Sequence, residues 1–273
     1  MEDFLVDTHC HIQLINDISN DHTSQLWHRD GKVDLDKIID NAHADGVNIM
    51  ISVGCTLVDS RLAVELSSNY PNIYASIGIH PHEASLFKKD WVKNKKDFEG
   101  LIKSKKIIAI GECGLDYHYE HSIKQDQIDI LKWQLELANH YSLPVIFHVR
   151  EAFDDFWQIL ADYPNIKGVL HSFTDNNENL SKALDRNLMI GVNGIVTFVK
   201  NPDQLAVYRL IPLESLLLET DSPYLTPVPR RGSINEPRNV RIITKYLAQL
   251  FQIEEKVIVK HTSLNAKKLF NLF

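Results

Sequence analysis

The clearest indication of the architecture is the segment Leu216-Leu-Leu-Glu-Thr-Asp-Ser-Pro-Tyr-Leu-Thr-Pro227. Its three leucines form a short apolar run of the kind that becomes a buried strand. Asp221 follows three residues later, and Pro223 and Pro227 force the chain into a loop. A carboxylate at the carboxyl end of a parallel strand stands where α/β barrels place their reactive groups. The segment therefore predicts a strand of a parallel sheet that presents Asp221 beyond its end.

Short apolar runs of this kind alternate with amphipathic segments along the whole chain. We predict eight strands, at residues 4–6, 48–53, 73–79, 107–110, 144–147, 168–170, 188–192 and 216–218. We predict helices at residues 34–44, 58–68, 90–103, 125–141, 152–162, 177–186, 237–251 and 254–270, and an extended polar loop at 15–33. Such alternation indicates a parallel sheet, and eight repeats favour a closed (β/α)8 TIM barrel over an open sheet. Without a linker, repeat or low-complexity tract, residues 1–273 are predicted to form a single α/β domain.

Composition narrows the class of protein. The chain has 273 residues, 44% of them hydrophobic, and a net charge of −7. This charge excludes a positive field over the whole molecule, so an anionic substrate must be held by local cations or by a metal. Three cysteines without a pattern suggest a reducing compartment, and the acidic amino terminus lacks the apolar stretch of a signal peptide or membrane span. We therefore expect a cytoplasmic enzyme without membrane contact.

Metal-ligating residue types recur at the predicted strand ends. A single strand-end histidine is more often a hydrogen-bonded core or rim residue, but here the pattern repeats and the ends of parallel strands converge on one barrel mouth. Imidazoles and carboxylates suit Zn²⁺ or Mn²⁺, and carboxylates also suit Mg²⁺. Two such ions can activate a water and hold the anionic oxygens of a phosphodiester. The predicted ligands of this two-metal site are His9, His11, Glu112, His148, His171 and Asp221, with Glu112 as the carboxylate placed centrally enough to bridge the ions.

Several longer motifs resemble those of a known family. They are Asp7-Thr-His-Cys-His11, Gly78-Ile-His-Pro-His82, Gly111-Glu-Cys-Gly-Leu-Asp-Tyr117, Leu143-Pro-Val-Ile-Phe-His148, His171-Ser-Phe-Thr174, Leu218-Glu-Thr-Asp-Ser-Pro-Tyr-Leu-Thr-Pro227, Arg230-Arg-Gly232 and Asn235-Glu-Pro237. In this order, over nearly the whole chain, they resemble the TatD family of metal-dependent deoxyribonucleases. The resemblance implies a TIM-barrel member of the metallo-dependent hydrolase superfamily that cleaves DNA phosphodiester bonds with divalent metal.

The resemblance also implies how the ligands are shared between two divalent ions, Mg²⁺, Mn²⁺ or Zn²⁺. One ion would be bound by His9, His11 and Asp221 and the other by His148 and His171, with Glu112 as the bridge. Three departures from the family pattern leave every ligand in place. Gln13 stands where an acidic residue is usual, the loop at 15–33 is long, and Val149 replaces a small polar residue. They bear on substrate preference.

Further roles follow from the predicted site. Asp221 is the predicted general base, because a carboxylate that contacts both a metal and the attacking water can accept its proton. Together with Glu112 and His80 it completes the predicted catalytic residues. We expect His80 to contact the scissile phosphate, with a loop histidine held by backbone bonds as the alternative. Arg230 and Arg231 follow the Asp221 loop and are predicted to grip flanking phosphates, although surface solvation would also explain them.

Three functions compete at this point. The first is a deoxyribonuclease that hydrolyses DNA phosphodiester bonds with a metal-activated water, exonuclease-like on single strands or ends. The second is a metal-dependent amidohydrolase or esterase, such as an aminoacyl-tRNA deacylase. The third is a non-catalytic binding protein whose barrel has lost its enzymatic activity. The intact set of predicted ligands disfavours it. The arginine pair favours a phosphate-rich polymer such as DNA, and parallel assays on DNA ends and on ester or amide substrates separate the first two functions.

Overall fold

The computed structural model describes residues 4–17 and 21–272. The chain divides into two compact units. The first unit comprises residues 1–52 and 172–273, and the second is the continuous segment Val53–His171. The organisation of residues 1–273 as one domain stays a prediction.

Eight parallel strands form the sheet. They are β1 (Leu5–Cys10), β2 (Val47–Val53), β3 (Ile73–Ile77), β4 (Ile107–Asp116), β5 (Val145–Arg150), β6 (Gly168–Leu170), β7 (Met189–Val192) and β8 (Leu216–Leu218). Their order in the sheet is their order in the chain. Within the first unit, Cys10 at the end of β1 also forms a parallel bridge with Ser222, which follows β8. The predicted (β/α)8 barrel is thereby confirmed.

The predicted helices are all present, together with three others in the described part of the chain. They are α1 (His22–Trp27), α2 (Leu35–Ala44), α3 (Leu57–Asn69), α4 (Ala84–Lys88), α5 (Trp91–Leu101), α6 (Lys124–Tyr141), α7 (Phe153–Ala161), α8 (Asn177–Asp185), α9 (Pro202–Arg209), α10 (Val240–Phe251) and α11 (Glu255–Phe270). Side chains cap the first turn of several helices. At the start of α3, for example, the hydroxyl oxygen of Thr56 accepts the Asp59 N–H at 3.0 Å. The short helices α1, α4 and α9 are absent from the prediction.

The segment 15–33 differs from the predicted extended loop. It contains the end of a 3₁₀ helix, Ile12–Asn16, and all of α1. The carboxylate of Asp21 caps α1 by accepting the Ser24 N–H at 2.7 Å, which explains why a polar stretch can start a helix. Residues 18–20 of the predicted loop lie outside the described residues.

Three strands run further than their apolar residues indicate. The predictions for β1, β4 and β5 end at residues 6, 110 and 147, whereas the strands continue to Cys10, Asp116 and Arg150. All ten residues of β4 are buried. Because β4 pairs with β5 up to Asp116, the ladder of backbone hydrogen bonds extends the strand past its apolar part. His9, Glu112 and His148 therefore lie within strands, whose side chains are more firmly placed than those of loops.

Helix α6 buries an apolar face. In α6 the buried residues include Ile130, Leu131, Leu135 and Ala138, at the spacing of one helical face. Among the described residues, none of the helices combines the length and the apolar character that a bilayer crossing requires. The cytoplasmic location stays a prediction.

Candidate metal centre

In the first unit, two histidines at the end of β1 face one carboxylate: His9 lies in the strand and His11 follows its last residue. His9 and His11 are two positions apart, so their side chains leave the same side of the extended chain. The Nε2 atom of His11 lies 3.3 Å from Oδ1 of Asp221, and that of His9 lies 3.7 Å from the same oxygen. Both histidines are buried, whereas the Asp221 side chain remains 16% exposed. We call these three residues the Asp221 cluster.

The backbone fixes Asp221 in an unusual conformation. Its φ angle is +57°, in the left-handed region that residues with a Cβ rarely adopt. Its N–H donates to the His9 carbonyl at 2.8 Å, and the His11 N–H donates to the Ser222 carbonyl at 2.9 Å. Such a conformation persists only where the surroundings hold it, and residues held in this way concentrate at functional sites. The two hydrogen bonds place the carboxylate over the end of β1.

A buried hydrogen-bonded pair supports this arrangement. The Thr220 hydroxyl donates to Asp7 Oδ2 at 2.6 Å, and the Thr220 N–H donates to Oδ1 at 2.9 Å. Burial raises the pKa of Asp7 to about 8, although the bonds from Thr220 and from the His9 N–H act in the opposite direction. Asp7 thus joins β1 to the segment that carries Asp221. Its Oδ1 atom accepts the backbone N–H of His9.

In the second unit, three histidines surround one glutamate of β4. Oε1 of Glu112 lies 2.8 Å from His148 Nδ1, 3.5 Å from His80 Nε2 and 3.9 Å from His171 Nε2. Glu112 itself is 4% exposed, so its charge is largely removed from water. We call these four residues the Glu112 cluster.

Asp116 holds two imidazoles of this region and has no role in the sequence prediction. Its Oδ2 atom lies 2.9 Å from His82 Nε2 and 3.1 Å from His148 Nε2. The other oxygen accepts the N–H groups of His118 and Tyr119 at 2.9 and 3.0 Å. A signal was present in the sequence, since Asp116 is four residues beyond Glu112 and an extended chain carries both on one face. The prediction missed it because it ended β4 at residue 110.

These contacts shift the pKa values of His148 and His80 in opposite directions. Burial lowers the pKa of His148, but hydrogen bonds to Asp116 and Glu112 outweigh this effect, so the net shift is upward. For His80, burial and the neighbouring His148 lower the pKa to about 4, against the pull of Glu112. Although burial alone would raise the pKa of Asp116, hydrogen bonds from His148 and His82 bring it well below the usual range. His80 is thus a neutral ring at neutral pH, and Asp116 a carboxylate.

The predicted site residues lie in both units. His9, His11 and Asp221 meet in the first, and Glu112, His148 and His171 meet in the second, which also brings His80 to Glu112. Arg230 and Arg231 are exposed residues of the first unit. Arg230 donates to Asn239 Oδ1 at 3.2 Å, and Arg231 donates to the Thr226 carbonyl at 3.0 Å. Neither arginine has a carboxylate partner within the described part of the chain, so both retain their charge for a ligand.

The chemistry of the donors fits divalent metal ions. Donor atoms of His80, Glu112 and His148 all lie within 4.8 Å of one another, which is close enough for one ion to bind them together. Imidazole nitrogen with carboxylate oxygen is the donor set of Zn²⁺ and Mn²⁺ sites. The Asp221 cluster offers the same atom types in the first unit.

Comparisons with known proteins agree with this chemistry. The family model described as "TatD related DNase" matches residues 6–271. The chain is 35% identical over 244 residues to the metal-dependent hydrolase YabD of Bacillus subtilis, covering 88% of this chain and 93% of that protein. It is 36% identical over 248 residues to the 3′-5′ ssDNA/RNA exonuclease TatD of Erwinia tasmaniensis, covering 88% and 94%. The crystal structure of YJJV, a TatD homologue of Escherichia coli K12, matches with a TM-score of 0.84 and 26% identity over 98% of both chains.

Proposed function

Because the chain belongs to the TatD-related DNase family and is a metal-dependent hydrolase, we propose that it is a deoxyribonuclease that cuts single strands or ends. The name of the Erwinia tasmaniensis relative, an exonuclease for single-stranded DNA and RNA, supports a nucleic-acid substrate. The chain would act on phosphodiester bonds. Hydrolysis of an aminoacyl ester is the alternative activity.

The observation that carries the proposal is the position of Glu112. Its Oε1 atom has ring nitrogens of three histidines within 3.9 Å. A buried carboxylate surrounded by imidazoles is costly without a cation and suits a divalent one. We propose that two divalent ions, Mg²⁺, Mn²⁺ or Zn²⁺, bind the chain, one at His9, His11 and Asp221 and one at His148 and His171, with Glu112 as bridge.

The roles of the side chains follow from this assignment. A bound divalent ion would lower the pKa of its water and neutralise negative charge on a phosphodiester. Asp221 would orient the attacking water and accept its proton, since its carboxylate is partly exposed while its backbone is held. His80, neutral because of its lowered pKa, would contact the scissile phosphate as a hydrogen-bond donor. Arg230 and Arg231 would bind flanking phosphates with their guanidinium groups, which neutral oxygens hold in place.

The test is cleavage of end-labelled single-stranded DNA by metal-stripped protein to which Mg²⁺, Mn²⁺ or Zn²⁺ is restored separately. We expect a ladder of products only with metal. The Glu112→Gln variant keeps the size of the side chain but lacks the charge, so it should lose more than the roughly 10–100-fold that changes to supporting groups of a metal site typically cost.

Glu178→Gln is the matched control. Glu178 is exposed on α8 and pairs with Lys182 at 2.7 Å, so its loss should leave cleavage unchanged. An aminoacyl ester assayed in parallel distinguishes the alternative. Ester hydrolysis with no DNA cleavage under any ion would overturn the nuclease proposal in favour of the esterase.

A further inference from the structure

Three flat side chains stack at the end of β5 in the second unit. The guanidinium carbon of Arg150 lies 4.6 Å from the centre of the Tyr119 ring. The His121 ring lies nearly parallel to that of Tyr119, with 14° between the planes and 5.8 Å between the centres. We call Arg150, Tyr119 and His121 the stacking column. All three are exposed, Tyr119 to 51%.

The column adjoins the Glu112 cluster through shared contacts. His82 packs edge-on against Tyr119 and His121, with ring centres 5.7 and 4.6 Å apart. The same His82 is bound to Asp116, which also holds His148. Moreover, His148 and Arg150 are alternate residues of β5, so they point to the same side and lie about 6.6 Å apart along the strand.

The chemistry of the column is that of a nucleotide subsite. Unpaired bases stack on aromatic rings and on guanidinium planes, and such stacking tolerates any base. Within the described residues Arg150 has no ion-pair partner, so its charge is available for a phosphate. A large aromatic side chain left half exposed beside this cation matches a ligand that is both flat and anionic.

We infer that the stacking column binds one unpaired nucleotide next to the bond to be cut, with the base stacked on the column and its phosphate on Arg150. The inference rests on the proposed nuclease function and sharpens it. Because a base inside a duplex cannot stack on the column, the column selects single strands. These residues carry no signal in the sequence, since a loop tyrosine and a loop histidine show no regular spacing.

The test uses two single strands of equal length and charge. One carries ordinary nucleotides, and the other carries abasic residues at the terminal positions of both ends. The wild type should cleave the abasic strand with a kcat/KM about 10-fold lower than that for the ordinary strand. This factor corresponds to the free energy gained when one base stacks on an aromatic ring. Tyr119→Ala should lower kcat/KM on the ordinary strand by a similar factor and leave the abasic strand unaffected. Equal losses on both strands, or no loss on either, would overturn the inference.

Two variants control for the fold and for general loss of an aromatic side chain. Tyr119→Phe keeps the ring and should match the wild type on both strands. Tyr141→Ala removes an exposed tyrosine from the far end of α6, about 27 Å along an 18-residue helix from the loop that carries Tyr119. It should leave both rates unchanged, and any strand-specific loss in this variant would count against the column.

A binding measurement separates this inference from the nuclease proposal. Stacking quenches the fluorescence of 2-aminopurine, which can be placed at the end of a single strand and titrated with metal-free protein. Quenching by the wild type and by Tyr119→Phe, but not by Tyr119→Ala, supports the column even if no strand is cut. Cleavage without any difference in quenching between the three proteins overturns the column and leaves the nuclease standing.

Discussion

Asp116 is the residue that makes the Glu112 cluster a rigid arrangement. One of its oxygens binds His82 and His148, and the other is bound by two backbone N–H groups of the following turn. Its backbone N–H in turn donates to Gln127 Oε1 at 2.8 Å. A carboxylate that holds a metal-binding imidazole fixes both the orientation and the tautomer of the ring. The position of His148 is therefore set by Asp116 as much as by β5.

Asp116→Asn tests this support. The amide keeps the shape but loses the charge and one acceptor, so we expect metal affinity and kcat/KM to fall by about 10–100-fold with an unchanged fold. Isothermal titration with Zn²⁺ and circular dichroism give the two measurements. Asp126→Asn is the control, because Asp126 lies in the same unit and is likewise bonded, to Ser85 and Lys88. Equal affinities for the two variants would refute the role of Asp116.

At the residue scale, the sequence suggests candidate donors more readily than the groups that hold them. Residue type and strand-end position, both visible in the sequence, make candidates of His9, His11, Glu112, His148 and Asp221. Asp116 shares a face of the extended chain with Glu112, but the sequence alone does not show which groups it holds. Its partners come from different strands and loops, and only the folded chain shows that His82 and His148 share it.

At the scale of elements, β4 shows how a strand comes to carry a site. The shortest strands, β6 and β8, have the bounds that their apolar runs predict. In β4 the run ends at Ile110, and glycine and glutamate follow, residue types that strands disfavour. The strand nevertheless continues because β5 pairs with it, Gly114 lying opposite His148. Tertiary pairing decided the length of β4, which local sequence could not reveal.

Gly114 permits the close approach of these two strands. Its φ is +156°, and a Cβ built on it would lie 1.8 Å from the His148 carbonyl oxygen. Gly114→Ala should therefore push β5 away, lower the free energy of unfolding by about 1–3 kcal/mol or more, and displace His148. Urea denaturation measures the first effect and metal titration the second.

The control for this change is another glycine of the same unit. Gly100 lies in α5, and a Cβ added to it would meet no atom within 4 Å, so Gly100→Ala should stabilise the protein by about 0.5–1 kcal/mol. If Gly114→Ala were as stable as Gly100→Ala and bound metal normally, the close approach of β4 and β5 would have no bearing on the site.

At the scale of the whole molecule, charge governs how a polyanion can bind. With 29 basic and 36 acidic side chains, the chain carries a net charge of −7. The net charge provides no long-range attraction of a polyanion, so the proposed DNA substrate would have to be held by local cations and bound metal. Some cations are not available for this purpose, as Arg238 illustrates: its guanidinium is 2.6 Å from a carboxylate oxygen of Asp45. Arg230 and Arg231, by contrast, are held by neutral groups.

The salt dependence of binding distinguishes these two kinds of arginine. A single strand releases counterions in proportion to the phosphates that a protein contacts, so the slope of log Kd against log salt counts the contacts. If Arg230 and Arg231 each grip a phosphate, Arg230→Ala and Arg231→Ala should each weaken binding for all sequences and reduce the slope by about 0.7. Arg238→Ala removes the same charge from an existing ion pair and should leave the slope unchanged. Fluorescence anisotropy with a labelled single strand, between low and high salt, gives all four slopes.

Because the Arg231 guanidinium also lies 4.0 Å from the centre of the Phe198 ring, its loss could loosen the loop without any phosphate contact. Weaker binding with an unaltered slope would identify that structural effect and reject the phosphate contact.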